Sequence, residues 1–555
     1  MRRFMLPVLA LALSLTLLPH VAWADNEGQA DLDKATELQI TAETLAELEQ
    51  VIKLAESALT KGLDKGQTDF AKKLLGATLF QHADRSSKSV FEQVPPSRNW
   101  RSVRELGMKN LAKAKKYDPA LPDIYLLEAK FQALPGGDER EAVAALDEAI
   151  KLLKTKDQPK QLADAYVLRA QFVDDNDRKL ADYEEALKAD PKHSAARQGR
   201  ALLYIEKGEH EKGIADLRTL LEQDADNPGI AAELAVALIK TKKFDEALKY
   251  CEEVIKLKPK ATEGYKLRAQ LRWIKEDTKG ALEDLGEALS IDANDISALL
   301  MRSRLYASEK KDAQAKADLD KALRLRPDLP QAIELRSILA AQKKNFADAI
   351  ADIQTLLQSD PTNGEYRLQL ATLYAGDKRP RKAIELITTV IDGISDEKNA
   401  EQKELKGDAL RQRGDALLSV GKHAEAVKDY EEALKLDPED TGVLNNLAWV
   451  LATSPDDAVR NAKRSLECGL KASELTKYEK PHILSTLAAG YAESGDWETA
   501  IKWSSKAVEL GVGEDEVDGQ LKKELEGYKQ KKAWREKQEI EENTKPLGKK
   551  SDLET

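Results

Sequence analysis

The chain has 555 residues, of which 42% are hydrophobic, 5% aromatic and 33% charged, with a formal net charge of −11. Its 87 basic and 98 acidic side chains are interspersed, which disfavours a nucleic-acid binder with one dominant basic face. Two cysteines exclude a disulfide framework, the apolar content excludes wholesale disorder, and so few aromatics argue against a core built on large rings.

The N-terminus reads as an export signal. Met1-Arg2-Arg3 is basic, an apolar run extends from Phe4 to about Leu18, and Ala22-Trp23-Ala24 supplies small residues before a cut at Asp25. The run is short for a membrane span and carries Pro7 and Pro19. Residues 1–24 are therefore expected to be a cleaved signal peptide. Losing Arg2 and Arg3 with no acid takes the net charge from −11 to −13. The mature protein is expected to be soluble, without membrane insertion, in the periplasm or outside the cell. None of the 13 asparagines lies in an N-x-[ST] sequon, which favours a bacterial periplasm.

Residues 25–66 read as a linker and a capping helix over 41–63. Residues 67–193 read as divergent helix pairs at about 67–119, 123–156 and 160–193. Within the first pair, the Ser- and Pro-rich stretch at 85–100 is expected to be a long, mobile loop. VDDNDRKLADYEE (173–185) lacks the glycine and final spacing of a calcium loop and reads as a turn with capping acids. A regular array follows at 194–397, then an insertion at 398–406 and further units at 407–514. A polar capping helix is expected over 515–543 and a mobile tail over 544–555.

The regular array repeats every 34 residues. Pro191, Ala225, Pro259, Ala293, Pro327 and Pro361 end successive segments at that spacing. Each unit carries a small residue early in its second helix: Gly213, Ala247, Ala281, Ala315, Ala349 and Ala383. Closely crossing helices demand small side chains there. The proline that follows cannot continue the helix. The segment 407–440 carries Gly414, Ala426, Tyr430, Ala433 and Pro438, and the segment 481–514 carries Leu487, Ala488, Tyr491, Ala500 and Ala507.

This pattern resembles the tetratricopeptide repeat family over roughly residues 67–514, with Leu410 standing where the family pattern has Trp. The resemblance implies an all-α fold, an α-solenoid of about twelve helix hairpins wound into a right-handed superhelix. It also implies binding of extended peptides or partner proteins on the concave surface of the first helices.

Motifs for chemistry are missing. No phosphate loop, HExxH, GxSxG or dinucleotide fingerprint occurs. The histidines at 20, 82, 193, 210, 423 and 482 are scattered, so no metal or other cofactor is expected and the protein reads as a non-enzyme. Cys251 and Cys468 read as buried structural thiols.

Projecting the co-chaperone carboxylate clamp onto this sequence finds Gln198, Leu202, Val236, Glu263 and Leu267, none of them the Lys or Asn it needs. Only Asn446 matches the asparagine ladder of O-linked N-acetylglucosamine transferases. The candidate partner-binding residues are Gln270, Trp273, Arg304, Arg411, Asn446 and Trp449, with core packing as the alternative for the two tryptophans. Trp497 and Trp503 read as packing residues. The expected function is a non-catalytic scaffold or adaptor in the cell envelope, of undetermined oligomeric state. An envelope-structural or glycan-associated spacer and a non-catalytic subunit of an enzyme complex are the alternatives.

Overall fold

The computed structural model describes residues 27–92, 98–395, 399–511, 515–536 and 542–546. The expected signal peptide lies outside them, as do residues 547–555. The described residues form 27 helices and no strand. The chain divides into two compact units, residues 1–260 and 261–555.

In the first unit, α1 (Gln29–Thr41) and α2 (Leu45–Lys61) form a hairpin ahead of the repeats. Five hairpins follow: α3 (Lys65–Phe91) with α4 (Trp100–Tyr117), α5 (Pro122–Gln132) with α6 (Glu139–Leu153), α7 (Pro159–Ala170) with α8 (Asn176–Ala189), α9 (Ser194–Glu206) with α10 (His210–Gln223), and α11 (Pro228–Lys240) with α12 (Phe244–Leu257).

The second unit contains seven hairpins. They pair α13 (Thr262–Ile274) with α14 (Thr278–Ile291), α15 (Ile296–Ser308) with α16 (Asp312–Leu325), α17 (Pro330–Gln342) with α18 (Phe346–Ser359) and α19 (Gly364–Gly376) with α20 (Pro380–Gly393). The last three pair α21 (Ala400–Ser419) with α22 (His423–Leu436), α23 (Thr441–Thr453) with α24 (Ala462–Leu475), and α25 (Pro481–Glu493) with α26 (Trp497–Leu510), and α27 (Asp515–Lys529) packs on the end. Stacked helix pairs of this kind make each unit a solenoid.

The physical reasons for these boundaries recur. Proline opens α5, α7, α11, α17 and α25, where its missing N–H is an orphan in any case. Asp295, Asn363 and Asp440 cap α15, α19 and α23 through their side chains. Gly213, Ala247, Ala281, Ala315, Ala349 and Ala383 are all buried, as close crossing requires. A Cβ on Gly213 would lie 2.7 Å from the carbonyl oxygen of Ala201 on the paired helix. In most of the 34-residue hairpins the backbone between the two helices turns through one left-handed residue. Gly208, Gly421 and Gly495 take this position in three hairpins, but Lys242, Glu276, Lys310, Lys344 and Lys378 take it in others.

Four expectations are corrected at the edges of the array. The segment expected as a linker contains α1, whose Leu32 and Ala35 are buried. The loop expected at 85–100 is helical through Phe91. There Ser86, Ser87 and Ser89 bond back to carbonyls one turn earlier, Val90 is buried and Phe91 meets Phe131 at 5.6 Å, so the serines act as small helix-compatible residues. Most of the insertion at 398–406 is the N-terminal part of α21, capped by Asn399. The capping helix expected to reach 543 stops at Lys529, where left-handed Lys531 lets the Lys532 N–H bond the Gly527 carbonyl at 2.9 Å.

Cys251 and Cys468 are both buried thiols outside any disulfide, and burial pushes the Cys468 thiol up to about 11. No described helix is long and apolar enough to cross a membrane.

Candidate interaction surface

In five of the hairpins the first helix is held from behind by an ion pair. Arg200, Arg268, Arg302, Arg336 and Arg413 each reach Asp216, Asp284, Asp318, Asp352 and Asp429, sixteen residues on, through two hydrogen bonds of 2.7–3.0 Å to the buried carboxylate. Bidentate pairing of this kind fixes orientation as well as position. Arg336 also reaches Asp320 of the preceding hairpin at 3.3 Å. A charged cleft lined by Asp312, Lys316, Asp320, Arg336, Lys343 and Asp348 surrounds this junction.

Two residues after each of these arginines lies the opposite side of the helix, since two steps turn the chain by about 200°. The side chains there are Leu202 in the first unit and Gln270, Arg304, Ile338 and Asp415 in the second, and all are exposed. Val236 and Thr372 occupy the same register in hairpins without the ion pair and are also exposed. Ile338 is 53% exposed and Leu202 43%. Trp449 holds the register in α23 but is half-buried.

The six sequence-derived candidates fall into two groups. Gln270 and Trp273 lie one turn apart on α13 and Arg304 on α15. All three are exposed, and their side chains make no hydrogen bond or ion pair among the described residues. Arg411, Asn446 and Trp449 belong to a polar cluster on α21 and α23. Asn446 Nδ2 donates to Asp415 Oδ1 at 2.9 Å, buried Tyr430 donates its hydroxyl to the same oxygen at 2.6 Å, and Arg411 pairs with Asp408 at 2.8 Å. Trp449 donates from Nε1 to Glu536 at 3.1 Å. The structure does not bring the two groups into contact. Trp497 and Trp503 pack among the helices, Trp503 stacked on Tyr478 at 5.1 Å.

Sequence reasoning missed the arginine–aspartate pairs. Their signal was present as Arg at 268, 302 and 336 and Asp sixteen residues after each. It also missed the course of residues 530–536 and 542–546, which no periodicity marks.

Family models of the tetratricopeptide repeat match residues 167–228, 204–271, 300–364 and 407–440. Residues 167–271, 300–364 and 407–440 are thus similar to tetratricopeptide repeats. The match at 407–440 begins inside α21 and ends after α22, so these repeats follow the hairpins. No curated protein matches the sequence.

Among solved structures, a tetratricopeptide repeat protein from Parabacteroides merdae is 18% identical, covering 48% of this chain and 98% of its own, with a TM-score of 0.35. The C-terminal part of a TPR repeat-containing protein from Cytophaga hutchinsonii is 15% identical, covering 44% and 98%, with a TM-score of 0.38. Pseudomonas aeruginosa pilF is 15% identical, covering 39% and 94%, with a TM-score of 0.32.

Among the described residues, no group of three or more His, Cys, Asp or Glu side chains is placed to hold a metal ion.

Proposed function

We propose that this tetratricopeptide-repeat chain is a non-catalytic protein-interaction scaffold of the cell envelope. Extended peptides or partner proteins bind it on the exposed row of its first helices. The observation that carries the reading is the row itself: Gln270, Arg304, Ile338 and Thr372 keep one register while changing chemistry from amide to cation to hydrocarbon to hydroxyl. A surface built for packing would repeat its chemistry, whereas this one supplies a different contact at each step of a fixed ladder. Gln270, Trp273, Arg304, Arg411, Asn446 and Trp449 are proposed contacts, and rigid presentation by the ion pairs lowers the ordering entropy on binding.

The envelope location rests on the basic, apolar and small-residue sequence of the first 24 residues. Capture from the envelope fraction tests the reading. A partner enriched by the wild type and lost by Gln270→Ala/Trp273→Ala/Arg304→Ala supports it, and a partner retained equally by the variant defeats it.

A further inference from the structure

The last described residues of the chain lie along the C-terminal ends of three first helices. The Glu536 N–H donates to the Thr453 carbonyl at 3.0 Å, and Arg535 reaches the Ala452 carbonyl at 3.2 Å, both at the end of α23. Arg535 also pairs with Glu493 at the end of α25, at 2.6 Å. Farther along, the Asn543 N–H donates to the Lys378 carbonyl at 2.8 Å and its amide to Asp377 at 3.1 Å, beside the end of α19. Arg379 donates to the Lys545 carbonyl, and Arg381 pairs with Glu542. Residues 544–546, expected as part of a mobile tail, thus belong to a docked segment.

The tail uses groups that any extended peptide could use. Helix ends leave carbonyls without intrahelical donors, and the tail supplies donors to those of Ala452 and Thr453. Its side chains add a pattern: Trp534 and Trp449 pack against one apolar cluster that includes Tyr528, Arg535 meets a carboxylate, Glu536 meets an indole N–H and Glu542 an arginine. The fit is incomplete, because the buried Trp534 Nε1 and Tyr528 hydroxyl have no hydrogen-bond partner. Arg381 is 67% exposed, and such a surface pair contributes only about 0–1 kcal/mol.

We propose that Trp534–Glu536 and Glu542–Lys545 are a built-in ligand covering a peptide-docking track. A partner peptide of the same chemistry, an aromatic–arginine–glutamate step followed by a further acid, displaces them. This deepens the scaffold reading and rests on it by assigning a ligand class to one edge of the first helices. A tether holding a ligand at about millimolar effective concentration masks the track from weaker competitors.

The test uses a fluorescent peptide with the sequence of residues 530–546, added to the full chain and to full-length Glu536→Arg/Glu542→Arg/Asn543→Ala. These three changes remove tail contacts and leave the track intact. Limited proteolysis is expected to cleave the variant's tail faster. The peptide is expected to bind the variant at least about tenfold more tightly than the wild type, through removal of the tethered competitor. Adding Arg381→Glu is expected to weaken that binding, with recovery for a peptide carrying Arg at the Glu542 position.

Equal peptide binding by wild type and variant, no binding to a variant whose tail is released, or an unreleased tail would each overturn the proposal. Because the probe is the chain's own sequence, an absent envelope partner would defeat the scaffold reading and leave this result standing.

Discussion

Arg336 and Asp352 meet across the α17–α18 hairpin through two hydrogen bonds of 2.9 and 2.7 Å, with the carboxylate almost wholly buried. Removing the arginine leaves that charge without its bidentate partner. Arg336→Met is expected to cost about 3 kcal/mol, the usual scale for breaking a buried pair from one side, and Arg336→Met/Asp352→Leu is expected to regain most of it. Hydrogen exchange checks this, with the loss concentrated in α17, α18 and their neighbours because a repeat stack loosens locally.

The left-handed turn residue gives a stabilising substitution. Lys310 holds φ of 57°, a conformation that costs a side-chain-bearing residue about 1–2 kcal/mol. Glycine removes that strain and adds back about 0.5–1 kcal/mol of unfolded-state entropy. Lys310→Gly is therefore expected to raise stability by about 0.5–1 kcal/mol, read from the denaturation midpoint.

Gly414 is expected to tolerate no added methyl. Its Cβ would lie 2.5 Å from the Tyr430 ring, which cannot swing away while its hydroxyl is bonded to Asp415. Alanine would gain about 1 kcal/mol in helix propensity, but overpacking costs about 1–3 kcal/mol and wins when the neighbour is fixed. Gly414→Ala should unfold at lower denaturant concentration.

Glu524 sets a pH dependence at the C-terminal end of the second unit. It is fully buried, accepts from Ser485 at 2.5 Å and Gln520 at 2.8 Å, and burial raises its carboxyl above the ordinary 4.5. A raised carboxyl pKa favours the folded state while the acid is protonated in both states. Its contribution is complete below about 4.5 and is lost as pH rises through the raised value. Glu524→Gln should remove that loss. Its stability relative to wild type should rise over this window and then level off, as unfolding curves at successive pH values would record.

The proposed export predicts a defined mature end. If the chain is exported, it should begin at Asp25 by N-terminal sequencing, and Ala24→Asp should leave the precursor uncut.

Much of the hairpin array was legible because helix crossing imposes small residues at a fixed period, and that constraint writes itself into Gly213, Ala247 and Ala281. Residues 85–91 were not legible as helix. Serine lowers helix propensity by its own tendency to bond the backbone, and only the packed surroundings turn that tendency into bonds within α3. At the candidate surface, register alone located Gln270 and Arg304, since exposure follows from position. The engagement of Trp449 by Glu536 depends on residues 87 apart in sequence, which no local pattern encodes.

Placement of a partner on the first helices is the central claim, and site-specific photocrosslinking tests it most directly. A photoreactive residue would be placed at Gln270, Arg304 or Ile338, and as a comparison at Lys279 or Glu283, which are exposed on the second helix α14. Crosslinks to one partner from the first-helix positions and none from α14 are predicted. Crosslinks confined to α14, or equal from both faces, would contradict the account.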